Sequence, residues 1–377
     1  MPFDINLEQL PAGYAFTSAR SGECVGVRYR DFTSTEDGQQ FIQRVEKSTY
    51  DFLQPSLINP SQVDHLLAVC RNDRSATIYV NELEHHALVR TARPVEIGPV
   101  TKDDIADVER LELGVHIPDD AGFLFLFSVN WRKGLFFDFG PILPDPQPRQ
   151  YDVAALLGQA YSHVLFQERF SITDDEWNAL FAEQWFPFVG LRNKTIDKLI
   201  SYIRSGWKCD EILDEIVLEV KSRVPKMLES WRNHSSFLQH IEILERAVER
   251  FLDDDTISCT SLLFNRIEGI LRTNHLSIST VSMRKQKNLV ESAVKAKINN
   301  EKYLLLPYRF NSYLNNIYFA DFKPDAQNIA ISRNSVGHGV ASVSEFNLKS
   351  SVIGILIVHQ LFYLLENDNT DLTKLHP

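Results

Sequence analysis

The segment 333–339 reads RNSVGHG and places an arginine, an amide and a histidine within six residues of one another. An arginine can bind a phosphate through two parallel, charge-assisted hydrogen bonds. A histidine changes its charge near neutral pH, so it can accept or donate a proton. Arg333 and His338 therefore supply the two abilities that a site needs if it is to cleave a phosphodiester without a metal ion.

The geometry of a regular helix would separate these two side chains. Residues five apart in an α-helix point about 140° apart, so Arg333 and His338 would not share a face. Gly337 and Gly339 disfavour a regular helix. We therefore expect the motif to lie in the turn before the last helix. There both side chains can converge, and the free N–H groups of that helix can attract phosphate.

The motif and the residues after it, 345–349 (EFNLK) leading into a long apolar segment, resemble the HEPN superfamily of nucleotide-binding helical domains. Members of that superfamily carry an arginine, usually followed by a polar residue, and then a histidine four to six residues after the arginine near the start of a late helix. The resemblance covers the chain from about residue 235 to its C-terminus. It implies an all-α helical bundle, RNA as a partner, and a homodimer in which both motifs face one cleft.

The same resemblance implies metal-independent RNA cleavage, in which a 2′-hydroxyl attacks the adjacent phosphate and leaves a cyclic phosphate end. His338 would then be the general base or acid. Arg333 would neutralise the charge that grows on the phosphorane, and Asn334 would position a phosphate oxygen or the histidine. Some members keep an acidic residue on an earlier helix that faces the motif, and Glu268 is the candidate here. The alternative for Glu268 is a surface ion pair with Arg272, four residues on.

A basic segment offers an electrostatic attraction for RNA. Residues 283–302 carry six basic and two acidic side chains within an acidic chain. A solvated helix face accounts for the same pattern equally well, and the sequence leaves both interpretations open. The candidate RNA-binding residues are Arg284, Lys285, Lys287, Lys295 and Lys297.

The bulk composition limits the class of protein. The formal net charge of −11 argues against broad nonspecific binding to nucleic acid or to anionic membranes. The N-terminus lacks the basic start and apolar core of a signal peptide, and the apolar run 352–365 is too short and too polar to span a membrane. The four cysteines lie far apart, which favours reduced thiols over disulfides or a zinc site. We therefore predict a cytoplasmic protein with no cofactor, no metal site and no membrane contact.

The pattern of elements predicts an α+β fold: a mixed α/β domain at 1–150, a helical connector at 151–234 and an all-α, HEPN-like bundle at 235–377. Strand-forming residues concentrate in the first range, where 39–52 and 101–111 are predicted helices. Four prolines within 141–150 mark the first boundary. From residue 151 the apolar residues recur at helical spacing, up to a last helix at 344–365. The predicted strands are 24–30, 76–80, 87–91, 122–129 and 134–139.

Two functions from different classes follow. The first is a homodimeric endoribonuclease whose N-terminal domain senses a trigger or restrains the nuclease. Bacterial proteins that resemble this one serve in phage defence or toxin–antitoxin systems, which adds a protein antitoxin or trigger as an expected partner. The second is a non-catalytic protein that uses the helical domain to dimerise or to hold a partner.

Overall fold

The computed structural model describes residues 1–7, 14–18, 24–28, 33–37, 63–92, 98–129, 132–142, 149–280, 283, 285–298, 304–321 and 331–365. The chain forms two compact units. Unit 1 consists of Met1–Val89 and Val108–Gln167, and unit 2 consists of Arg90–Asp107 and Glu168–Pro377. Antiparallel strands characterise the N-terminal region and helices the C-terminal region, which confirms the predicted α+β class.

The strands of the described residues lie between residues 3 and 138. Six of them form an antiparallel sheet in the order β1-β6-β5-β9-β10-β2, while β3 pairs with β4 and β7 pairs with β8. The ten strands are β1 (Phe3–Asn6), β2 (Tyr14–Ser18), β3 (Cys24–Arg28), β4 (Thr33–Asp37), β5 (His65–Cys70), β6 (Ser75–Val80), β7 (His85–Thr91), β8 (Ile105–Leu113), β9 (Gly122–Val129) and β10 (Arg132–Asp138).

Strand β9 is central to the six-stranded sheet and buries both of its faces. Leu124 and Leu126 pack in a small cluster on one face. The rings of Phe123, Phe125 and Phe127 pack in a second cluster that includes apolar residues of helix α1 (Val153–Leu165). A continuous apolar run bounded by polar residues is typical of such a doubly covered strand, and the strand predicted at 122–129 is confirmed.

The helix predicted at 101–111 is wrong. Lys102–Asp104 forms one 3-10 turn, and the following residues are strand β8, which pairs with β7. The Asp104 carboxylate accepts hydrogen bonds from the Thr101 N–H at 2.8 Å and from the Thr101 hydroxyl at 2.8 Å. An acidic residue that caps a single turn gives the same local signal as one that begins a long helix. The helix predicted at 39–52 lies outside the described residues.

Ten further α-helices follow α1 among the described residues. A π-helical segment, Leu314–Tyr318, continues directly from α9. The helices are α2 (Gln167–Phe170), α3 (Asp174–Ala182), α4 (Asn193–Arg204), α5 (Leu213–Arg232), α6 (Ile241–Leu252), α7 (Thr256–Ile278), α8 (Gln286–Ile298), α9 (Pro307–Tyr313), α10 (Arg333–Gly337) and α11 (Leu348–Leu365).

One hydrophobic core extends through unit 2 from Ile172 to Leu365. It includes Trp185 and Trp231 from the predicted connector together with Phe264 from the predicted bundle. These ranges share a core, so we describe them as one unit. The three predicted domain ranges themselves stay a prediction.

Helix α11 is the most deeply buried element of unit 2. Among the described parts of the chain it is the one helix that is long and apolar enough to cross a membrane, and 83% of it is buried inside the protein. That burial is typical of the core helix of a soluble domain. The hydroxyl of Thr260 on α7 lies 3.2 Å from that of Ser350 and 3.1 Å from that of Ser351. These contacts fix α11 against α7, the helix that carries Glu268.

Candidate functional site

The motif 333–339 forms a short helix of its own. Ser332 caps α10: its side chain accepts the Ser335 N–H at 3.1 Å, and the Ser335 hydroxyl oxygen accepts the Ser332 N–H at 3.0 Å. This reciprocal arrangement is a capping box, which satisfies two N–H groups that a helix start leaves unpaired. The expectation that the motif lies in a turn rather than in a regular helix is therefore wrong.

Gly339 ends this helix. Its φ is 68°, in the left-handed region that favours glycine. The Val340 N–H donates to the Ser335 carbonyl at 3.0 Å, and the Gly339 N–H donates to the Val336 carbonyl at 3.1 Å. This pair of bonds is the Schellman motif. Gly339 is thus explained by helix termination, and residues 340–347 separate the motif from α11.

Glu268 reaches the motif from α7. Its Oε2 atom lies 2.7 Å from Nε of Arg333, close enough for an ion pair although the two groups are not aligned for a hydrogen bond. Its Oε1 atom accepts a hydrogen bond from Nε of Arg272 at 2.9 Å. The carboxylate therefore faces the motif and also pairs with Arg272, but it is buried, so the predicted surface location of that ion pair is wrong.

Gln286 joins this ion pair to Asn334. Its side-chain N–H₂ donates to Glu268 Oε2 at 2.9 Å and to Asn334 Oδ1 at 3.1 Å. Asn334 in turn donates through Nδ2 to the Phe319 carbonyl at 3.0 Å. Both ends of the buried Asn334 amide are thus engaged within the protein, and they hold α10 against its neighbours.

Glu268 is ionised in this setting. Burial raises the pKa of its carboxyl group, but the hydrogen bonds from Gln286 and Arg272 and the charges of Arg333 and Arg272 outweigh burial and leave the pKa below its usual value. One carboxylate thus faces two guanidinium groups. The three side chains carry one net positive charge, which suits an anion such as a phosphate.

His338 lies at the residue where α10 ends. Its backbone N–H donates to the Asn334 carbonyl at 3.0 Å, which continues the helical pattern. Its side chain is exposed. His338 is the C-cap of α10, with φ −94° and ψ 0°, so it stands just beyond the last helical residue. The guanidinium group of Arg333 lies over Gly337, where an added Cβ atom would come within 3.0 Å of Arg333 Nη1. The structure therefore brings Glu268, Arg333 and Asn334 together directly, while His338 is exposed at the residue that follows α10.

The basic segment begins next to this network. Lys285 and Lys287 are exposed and flank Gln286 in the sequence, and Gln286 begins α8. Lys295 and Lys297 lie further along α8, and Arg284 is outside the described residues. The sequence interpretation missed Gln286, because it considered this segment only for its charges.

The described residues hold no group of three or more His, Cys, Asp or Glu side chains that is placed to bind a metal ion. Comparison of the chain with protein-family models, with curated proteins and with solved structures finds no match.

Proposed function

We propose that this protein is a cytoplasmic endoribonuclease that cleaves RNA at the Arg333 motif without a metal ion. The observation that carries the proposal is the fixed guanidinium group of Arg333. Glu268 contacts it at Nε, the inner nitrogen, and the Arg333 side chain is still 24% exposed. The outer Nη groups can therefore donate to a phosphate while Glu268 and Gly337 keep the guanidinium group in place.

The proposed reaction breaks one P–O bond and forms another. A base removes the proton of a 2′-hydroxyl, the 2′-oxygen attacks the adjacent phosphorus, and the 5′-oxygen of the next nucleotide leaves with a proton from an acid. His338 is the base or the acid, and Arg333 stabilises the charge on the phosphorane. Asn334 acts as a positioning residue that holds α10. The products are a 2′,3′-cyclic phosphate and a 5′-hydroxyl.

The proposed active form is a homodimer. Arg333 is the first residue of α10 and His338 follows its last residue, and in an ideal helix residues five apart point about 140° from each other. Two motifs that face one cleft would let the arginine of one copy and the histidine of the other meet the same phosphodiester. The HEPN resemblance implies this arrangement. Lys285 and Lys287, exposed beside Gln286, would extend the RNA-binding surface of each copy.

The biological role that we propose is phage defence or toxin–antitoxin control. Such nucleases need restraint, which a protein antitoxin or the N-terminal domain would supply until a trigger arrives. This role extends from the resemblance of residues 333–349 to bacterial HEPN proteins.

The test is cleavage of total RNA and of a defined tRNA by the full chain in the presence of a chelator. We expect the wild type to leave cyclic phosphate ends, and His338→Ala and Arg333→Ala to lose at least about a hundredfold in rate. His86→Ala is the matched control, because His86 is also an exposed histidine and lies in unit 1. Cleavage by His338→Ala at the wild-type rate, or linear phosphate ends, would exclude this chemistry.

A second function is supported by a different aspect of the same contacts. Arg333 is paired with a buried carboxylate and Asn334 is engaged at both ends, as expected if the motif only holds helices together. The protein would then be a non-catalytic module that dimerises or holds a partner. This function would be favoured if the Arg333→Ala and His338→Ala proteins retain every cellular phenotype and the wild-type protein does not cleave RNA.

A further inference from the structure

A cavity of about 220 Å³ lies within unit 2, away from the Arg333 motif. It is formed mainly by helix α5, with His359 of α11 and Arg192, the residue that precedes α4. Arg192 and Lys226 are exposed, whereas Arg223 and His359 are only 9% and 1% exposed. The cavity therefore has two cations at its mouth and a cation and an imidazole at its floor.

His359 lines this cavity and carries a buried hydrogen-bond donor. The indole N–H of Trp231 lies 3.2 Å from Nδ1 of His359, and because an indole nitrogen can only donate, Nδ1 is the acceptor. Burial and the charge of Arg223 lower the pKa of His359 to about 3, so the ring is neutral and its proton is on Nε2. Among the described residues, this buried Nε2–H has no hydrogen-bond partner. A buried donor without a partner is costly and indicates that something else accepts from it.

Arg223 presents a second unsatisfied donor. Its Nη1 lies 3.3 Å from Glu219 Oε1, whereas no described residue accepts from its buried Nη2. Burial lowers the pKa of Arg223, and the nearby charge of Arg192 lowers it further. Like charges that are held together at a cavity are stabilised when an anion binds between them.

The charges around the cavity match a dianion. Arg192, Arg223 and Lys226 contribute three positive charges, and Glu219, which contacts Arg223 and also accepts the Arg192 N–H, contributes one negative charge. These four groups leave an excess of two positive charges. A phosphate monoester carries about −1.5 to −2 at neutral pH and offers three strong acceptor oxygens, whereas a single carboxylate carries one charge.

We propose that this cavity binds a small molecule that bears a phosphate group, with the phosphate accepting hydrogen bonds from His359 Nε2 and Arg223 Nη2. The volume corresponds to about seven water molecules, which is smaller than the usual range of drug-sized pockets. That size suits a phosphate with a few further atoms and not an RNA chain. The apolar side chains of Ala92 and Met227 line the remaining space. The site shares no residue with the Arg333 network, so it stands independently of the proposed nuclease.

The test is calorimetric titration of the full chain with inorganic phosphate and with glycerol phosphate, and with acetate as a monoanion for comparison. We expect saturable one-to-one binding of both phosphate probes. Lys226→Gln and Arg192→Gln should each weaken binding by about tenfold or more, because each removes one of the positive charges that attract the phosphate. Both residues are exposed, so the variants should fold. Arg232→Gln is the control, since it removes the same charge from the same helix but does not line the cavity.

A second measurement reads out the buried donor directly. In ¹⁵N NMR spectra the His359 Nε2–H signal should shift on addition of phosphate in the wild type, and this shift should require a higher phosphate concentration in Lys226→Gln. Three results would each overturn the proposal: no saturable binding of either phosphate probe, equal weakening by Arg232→Gln, or tighter binding of acetate than of phosphate.

Discussion

A buried carboxylate between two arginines is stabilising only while both partners remain. The Glu268 side chain is 8% exposed, while those of Arg333 and Arg272 are 24% and 40% exposed. Taking a carboxylate out of water costs several kcal/mol, which close cations and hydrogen bonds must offset. The arginines keep part of their hydration and can stay charged without Glu268. The buried charge of Glu268, in contrast, needs the two arginines.

Glu268→Gln should lower the free energy of unfolding by about 2 kcal/mol. The amide keeps the shape of the side chain but removes the charge that holds Arg333 and Arg272 together, and loss of a charged hydrogen bond costs roughly 1.5–3 kcal/mol. Urea unfolding of the two proteins measures the difference. Glu249→Gln is the control, because Glu249 pairs with Arg246 at an exposed site and should cost less than about 0.5 kcal/mol. Equal losses in the two variants would contradict the buried network.

Because the pKa of Glu268 is lowered, the stabilisation that its charge provides depends on pH. A carboxyl group whose folded-state pKa lies below its unfolded-state value stabilises the protein fully above the unfolded value, here 4.5, and loses that contribution as pH falls through the folded-state pKa. The difference in unfolding free energy between wild type and Glu268→Gln should therefore be constant from pH 7 to about pH 5.5 and shrink below pH 4.5. Unfolding curves at pH 7, 5.5, 4.5 and 3.5 test this. A difference that grows toward low pH would mean that the folded-state pKa is raised instead.

At the scale of elements, the end of α10 fixes where His338 lies. The left-handed conformation of Gly339 lets residues 339 and 340 donate back into the helix, so the chain leaves α10 immediately after His338. His338, the residue just before this turn, is exposed.

Gly339→Ala should lower the free energy of unfolding by about 1 kcal/mol, because alanine adopts a positive φ at that cost. No atom lies within 4 Å of the added Cβ, so conformational strain is the expected cause. Thermal and urea unfolding measure the loss. Gly206→Ala is the matched control: Gly206 has φ 70° and equally open surroundings at the end of α4, so it should cost the same. A Gly339→Ala protein with the same free energy of unfolding as the wild type would contradict the left-handed turn.

Local patterns predicted the elements whose partners lie close in the sequence or whose burial is extreme. The apolar run of β9 is found where the sequence indicates it, and so is the helical region after residue 151. The strand β8 was missed because its pairing with β7 is a tertiary contact, while its acidic start is a local helix signal. Glu268 was a candidate through the family resemblance, whereas its bridge through Gln286 depends on the packing of α8 against α7, which is a tertiary contact.

At the scale of the whole chain, α11 depends on residues far from the motif. Gln360, which is 1% exposed, accepts the Val189 N–H at 2.8 Å and donates to the Leu305 carbonyl at 2.9 Å. The Trp231 indole donates to His359 on the same helix. The segment 168–234 thus supplies both apolar cover and hydrogen-bond partners to the last helix.

A fragment of residues 235–377 should therefore fail to fold cooperatively. It would leave the Gln360 acceptor and the His359 ring without their partners and would expose the apolar surface that Trp185, Trp231 and their neighbours cover in unit 2. Each buried polar group that loses its partner costs about 1–3 kcal/mol, and the lost apolar cover adds about 25 cal/mol per Å², against a typical total stability of only about 5–15 kcal/mol.

For this fragment we expect helical circular dichroism, binding of a hydrophobic dye and a broad thermal transition, the behaviour of a compact state without fixed packing. The full chain should unfold sharply under the same conditions. A sharp transition and dispersed methyl NMR signals from the fragment would instead show that residues 235–377 form a domain of their own, and any nuclease activity could then be assigned to that range directly.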